Sequence, residues 1–276
     1  MCLGLSTIAP RVTGQFLSGV DLVEVYATAT DAQGEPVLGL TREDFVVEED
    51  GERQTIRAFT AGEFPLALAI GIDRSFSMSR AGLAGVSSAV RGLLAELRPD
   101  DQAMLVAIGS QTEVLAPLAV DRAPALARLN DLEPWGTTPL YDAALAAVDA
   151  IETSSGRRAL ILISDGTDRY SETPATELID RVRRKNVLIY PVALSKVRPP
   201  VFAELATVTG GRSFQVDDVR KLPVTLSAIG RELRYQYLIG YAPPARADTD
   251  GGWRSIRVTV NRPNVRVRAR DGYVLR

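Results

Sequence analysis

The sequence predicts an α/β fold: a doubly wound, mostly parallel sheet flanked by helices, Rossmann-like, with a small β domain built from the N- and C-terminal segments. Three observations carry this reading. Between residues 64 and 233, short apolar runs (66–72, 103–108, 158–164 and 187–193) alternate with stretches of helical spacing. The run 66–72, LALAIGI, is apolar throughout with no alternation, as a strand covered on both faces requires. The segments before 64 and after 233 carry only strand and turn signals.

Taken in order, residues 1–17 show no pattern and read as a loose leader. From Val20 the positions Leu22, Val23, Val25, Tyr26 and Ala27 point to a strand, and DAQGEP (31–36) is a turn by composition. Strands at 45–48 and 54–60 flank the Asp50-Gly51 turn and predict a hairpin. After the strand at 66–72, the spacing Leu83, Val86, Val90, Leu93, Leu94, Leu97 predicts a helix that stops at Pro99. Further helices are expected at 122–132, 139–151, 172–184, 202–208 and 219–233, and a strand at 113–118 is expected to pair with 103–108. A short strand at 212–215 follows Gly210-Gly211. Strands at 235–241, 254–260 and 265–269 close the chain. The domains are therefore expected as a leader (1–17), an N-terminal β segment (18–63), the α/β domain (64–233) and a C-terminal β segment (234–276) that packs with 18–63.

Composition excludes several chemistries. The 276 residues contain no histidine, so Ser-His-Asp and Cys-His catalysis and His-based zinc sites are out of reach. Cys2 is the sole cysteine, so no internal disulfide forms. A net charge of −2 gives no reason to expect nucleic acid as a partner. No stretch is apolar enough to cross a membrane, and the first residues do not read as a signal peptide.

The chemistry concentrates after the first buried strand. Asp73, Ser75 and Ser77 follow LALAIGI directly, at the carboxyl end of a central strand, where open α/β sheets bind ligands. One carboxylate and two hydroxyls at two-residue spacing are hard oxygen donors suited to Mg²⁺, Mn²⁺ or Ca²⁺. The alternative is a turn whose Ser and Asp residues cap the next helix. Two later motifs have the same character: Thr138 in GTTPLYDAAL, ahead of a helical pattern, and Asp165 at the end of ALILISDGTD.

Asp-x-Ser-x-Ser followed in order by a Thr and an Asp resembles the metal-ion-dependent adhesion site of von Willebrand factor A domains. The flanks GEPVLGLTREDFVVEEDGERQTI, TGGRSF, RYQYLIGYAP, WRSIRVTV and ARDGY resemble the bacterial VWFA-related proteins, in which the A domain sits between β segments. The resemblance implies that Ser75 and Ser77 coordinate an ion through their hydroxyls. It implies that Asp73, Asp165 and Thr138 hold the ion directly or through water. Thr137 rivals Thr138, whose spacing to the following helix fits the family better. Two positions depart from the pattern: Phe76 stands where many members carry Gly, and Arg74 brings positive charge. The implied function is a metal-dependent protein-binding module of adhesion type, not an enzyme, with Mg²⁺ (or Mn²⁺ or Ca²⁺) as cofactor. The implied partner is a protein with an exposed Asp or Glu carboxylate, and the implied location is exported. Two alternatives stand beside it: a structural domain without functional metal, and a phosphoryl-transfer enzyme using Asp73, which would call for a lysine such as Lys196.

Overall fold

A computed structural model describes residues 22–62, 64–244 and 252–274. The predicted leader lies outside the described residues.

The chain opens with β1 (Val23–Thr30), a 3-10 turn at Arg42–Asp44, then β2 (Phe45–Glu49), β3 (Glu52–Gln54) and β4 (Ile56–Gly62). The α/β part follows as β5 (Leu66–Asp73), α1 (Arg80–Glu96), β6 (Gln102–Ile108), β7 (Thr112–Ala119), α2 (Ala123–Arg128), α3 (Leu140–Glu152), β8 (Arg157–Ser164), α4 (Ala175–Arg183), β9 (Leu188–Ala193), α5 (Pro200–Thr209), β10 (Phe214–Gln215) and α6 (Leu222–Arg234). The chain closes with β11 (Gln236–Tyr241), β12 (Trp253–Val260), β13 (Arg266–Arg268) and β14 (Gly272–Val274).

The central sheet has the order β10-β9-β8-β5-β6-β7. All its pairings are parallel except β6–β7, the antiparallel edge. Alternate residues of β5 feed opposite apolar layers, which is why LALAIGI shows no polar face. Leu68, Ile70 and Ile72 meet α1 and α6 through Leu83, Val86, Val90, Leu226 and Ile229. Ala69 lies in the other layer with α3, α4 and α5, through Leu140, Val148, Leu178, Val182 and Phe202. Strand order reverses about β5, with β6 on one side and β8 on the other. The carboxyl ends of β5 and β8 therefore form a topological switch point.

The terminal strands build two four-stranded antiparallel sheets, β13-β1-β11-β4 and β14-β12-β2-β3. They share an apolar layer containing Val25, Ala27, Phe45, Val47, Ile239, Tyr241, Val258 and Tyr273. β11 is buried along its whole length because its two faces serve two cores. Tyr237, Ile239 and Tyr241 face the β layer, while Leu238, with Tyr26 of β1, joins the α1–α6 core.

Three expectations are corrected. The strand expected at 54–60 is two strands: β3 completes the hairpin with β2, and β4 pairs with β11 in the other sheet. The chain changes sheets at Thr55, a switch that residue pattern alone does not mark. The helix expected from 172 begins at Ala175, because Pro174 takes the N-cap position and residues 171–173 are held in the preceding loop. The last helix, expected from 219, starts with a 3-10 turn at Val219–Lys221, and its α-helical part begins at Leu222.

Candidate metal site

Asp73 ends β5 and is fully buried. Its Oδ1 accepts the Ser75 backbone N–H at 2.8 Å, and its Oδ2 accepts the Ser164 hydroxyl at 2.6 Å. The carboxylate is thus fixed between two neighbouring strand ends. Burial pushes its pKa above the ordinary 3.8, and the charge of Asp165 adds to the rise, while the Ser164 and Ser75 bonds pull the other way. The carboxylate lacks a cationic bonding partner among the described side chains.

Ser75 is buried, and its Oγ lies 2.9 Å from Ser77 Oγ. The helix-capping alternative belongs to another residue: Ser79 is the N-cap of α1, and its hydroxyl accepts the Gly82 N–H at 3.0 Å. Ser75 and Ser77 are therefore spared that role. Thr138 is buried just before α3. The N-cap of α3 is Pro139, without a side-chain cap, and the Tyr141 N–H is instead taken by Asp168 Oδ1 and Ser171 Oγ, each at 3.1 Å. Asp165 leaves the end of β8, its Oδ1 accepting the Thr167 N–H at 2.8 Å.

Backbone bonds hold these loops together. Phe76 N–H donates to Gly136 O, and Arg169 N–H to Thr138 O. Gly136 has φ +78°, and a Cβ there would strike Ser110 Oγ at 2.3 Å, so the turn leading into Thr137-Thr138 requires glycine. Ser75, Ser77, Thr137, Thr138 and Asp165 line one cleft of about 330 Å³, with Phe76, Thr167 and Arg169 also on its walls. Asp73 does not line it; the buried carboxylate lies beneath. Lys196, which phosphoryl transfer would require, is not among the lining residues.

Arg74 does not point its charge into the cleft. Its guanidinium pairs with Glu113 at 2.8 Å and sits over the Trp135 ring at 5.2 Å. Phe76 is 73% exposed on the cleft wall. Sequence reading missed Ser164, taken there only as a strand end, and Arg169, an arginine in a turn-rich loop with no distinguishing signal.

The donor set tests well against a hard divalent cation. A buried carboxylate without a cationic partner, a second carboxylate and three hydroxyls offer hard oxygens and negative charge that a cation would neutralise. No cluster of three or more His, Cys, Asp or Glu occurs among the described residues, so a carboxylate-rich cage is not the pattern here.

The von Willebrand factor type A domain family matches residues 68–167, which span β5 through the Asp165 loop. Residues 68–167 belong to the von Willebrand factor type A domain family. Solved structures share its fold. A von Willebrand factor type A protein from Catenulispora acidiphila aligns over 91% of this chain and 73% of its own, at TM-score 0.56 and 16% identity. Proximal thread matrix protein 1 from the mussel byssus aligns over 67% of this chain and 51% of its own, at TM-score 0.55 and 13% identity. An aerotolerance-related membrane protein of Bacteroides fragilis aligns over 61% of this chain and 98% of its own, at TM-score 0.50 and 17% identity. At these identities the likeness to the A domain is one of fold. No curated protein matches the sequence. No helix among the described residues is long and apolar enough to cross a membrane.

Proposed function

We propose that this chain is a metal-ion-dependent protein-binding module of adhesion type, in which the A domain captures an Asp or Glu carboxylate of a partner protein. The observation that carries this is the convergence of oxygen donors from three separate loops on one cleft, beside a buried carboxylate that no cationic side chain pairs with among the described residues. Ser75, Ser77 and Thr138 would hold Mg²⁺, Mn²⁺ or Ca²⁺ through hydroxyls, and Asp73 and Asp165 directly or through water. When bound, a hard divalent ion supplies residual positive charge and a free coordination position for an anionic ligand.

The chain's own residues prepare the rest. Ser164 and the Ser75 N–H fix the Asp73 carboxylate before anything binds. The Thr167 N–H orients Asp165, and Gly136 sets the approach of the Thr138 loop. Such preorganisation lowers the ordering cost of binding. In this reading the β segments at 18–63 and 234–276 form one unit into which the α/β domain, 64–233, is inserted, and the protein acts outside the cytoplasm.

Calorimetric titration of Mg²⁺ and Mn²⁺ into EDTA-stripped protein tests the proposal. Saturable one-site binding is expected, and it should be lost in Asp73→Ala. Absence of saturable binding to the wild type at millimolar ion overturns it.

A further inference from the structure

Beside the candidate metal site stands an arginine that the fold leaves unpaired. Arg169 lines the cleft, and its backbone N–H is anchored to Thr138 O, 2.7 Å away. No hydrogen bond or ion pair reaches its guanidinium among the described residues. Arg74, by contrast, is paired with Glu113, a carboxylate that Arg128 shares. Beneath and within the cleft are two carboxylates, Asp73 and Asp165. A divalent cation would offset both and leave Arg169 as a net positive charge at the mouth.

The next residue is equally unusual. Tyr170 is 80% exposed and holds φ at +71°. The other non-glycine residues with positive φ among those described are Asp50 and Asn264, types that tolerate the left-handed region; a tyrosine does not do so readily. The loop is held in this form from both sides. Ser171 Oγ donates to Asp168 Oδ1 at 2.6 Å, and both accept from the first turn of α3. The Asp142 carboxylate accepts the N–H groups of Glu172 and Thr173. Arg169 and Tyr170 are thus exposed side by side on a stapled loop. Phe76, also exposed, stands on the cleft wall, its backbone tied to Gly136.

We infer that Phe76, Arg169 and Tyr170 form a second recognition surface around the cleft, which selects an acidic protein segment whose entering carboxylate is flanked by an aromatic or large apolar residue and a second acidic residue. The aromatic rings supply rigid contact area at small entropy cost. The free guanidinium supplies a charge-assisted contact to the second carboxylate. This rests on the metal-dependent reading above and adds to it the partner's sequence character.

The test uses the full chain in Mn²⁺ and fluorescently labelled capped pentapeptides. One carries a single central Asp among glycines; two others add Phe and Glu on either side of it, in both orders. One flanked peptide is expected to bind more tightly than the glycine peptide, by about fivefold for each flank. Arg169→Gln should remove the gain from Glu alone, and the pair Phe76→Ser and Tyr170→Ser the gain from Phe alone. Calorimetric Mn²⁺ affinity should be equal or slightly tighter in Arg169→Gln, since a like charge is removed. Equal binding of all peptides to a metal-loaded protein, or flank gains untouched by the variants, overturns the inference and leaves the metal-dependent module standing. Failure of the wild type to bind Mn²⁺, or of loaded protein to bind any peptide, overturns both.

Discussion

Asp73 ends β5 with its carboxylate buried, accepting the Ser75 N–H and the Ser164 hydroxyl, and no cationic side chain pairs with it among the described residues. Its pKa lies above the ordinary 3.8, first because of burial and then because of Asp165. With the folded value raised, the proton is bound more tightly in the native state. This group's contribution to stability is complete below the unfolded value and is lost as pH rises through the folded one. At neutral pH the metal-free protein therefore bears a cost that Asp73→Asn removes while keeping an oxygen acceptor. We expect the metal-free variant to melt roughly 2–5 °C above metal-free wild type at pH 7, with the gap closing as pH falls toward 4. It should also lose Mg²⁺-dependent stabilisation. Differential scanning calorimetry across pH checks this, and a variant that melts lower at pH 7 refutes it. Asp73, Ser75, Ser77, Thr138 and Asp165 were legible as candidates because each follows an apolar run or precedes a helical one. Ser164 and Arg169 were not, because their roles depend on which strand ends and loops become neighbours, and no local spacing encodes that.

At the level of elements, the chain's punctuation explains both what was read correctly and what was not. The Thr209-Gly210-Gly211 turn is legible as a helix stop, yet its stringency comes from contacts. Thr209 Oγ1 donates to Leu205 O at 2.7 Å and accepts the Ile189 N–H at 3.1 Å. Gly210 caps α5 at φ +81°, where a Cβ would lie 2.5 Å from the Ala269 backbone. Gly211 is tighter still: a Cβ would fall 2.0 Å from Ile189 O in β9. The turn joins helix, central sheet and C-terminal segment, so it cannot give way locally. Gly211→Ala is expected to destabilise by about 2–3 kcal/mol, read as a lower urea midpoint at unchanged slope. A change within 0.5 kcal/mol would show that β9 accommodates the methyl. The break between β3 and β4 was not legible for the complementary reason. Both halves have strand-forming residues, and their partners, β2 and β11, lie in different sheets.

Across the whole molecule, the α/β part and the terminal sheets are joined by apolar packing and by buried charges, Glu232 among them. Tyr26 of β1 and Leu238 of β11 enter the α1–α6 core, so the sheet β13-β1-β11-β4 serves both parts. Glu232 on α6, 2% exposed, accepts Arg212 from the loop before β10 at 2.8 Å and Arg268 from β13 at 2.6 Å. Three separate parts of the chain meet at this carboxylate, and it fixes the last helix against the C-terminal segment. Removing it leaves two arginines facing each other without their shared counter-ion. Their partial exposure moderates the penalty that a fully buried pair would impose. Glu232→Ala should destabilise by about 2–3 kcal/mol and speed amide exchange along α6. The neighbouring Arg231 provides the internal control, since its pair with Glu35 at 3.4 Å is half exposed. Arg231→Ala should stay within about 0.5 kcal/mol of wild type. If the two substitutions cost the same, the clamp contributes nothing specific and the remaining contacts hold the parts together. If only Glu232→Ala loosens α6, then a helix on the face opposite α3 is held in place by the terminal segments, and those segments are part of how the α/β part keeps its shape.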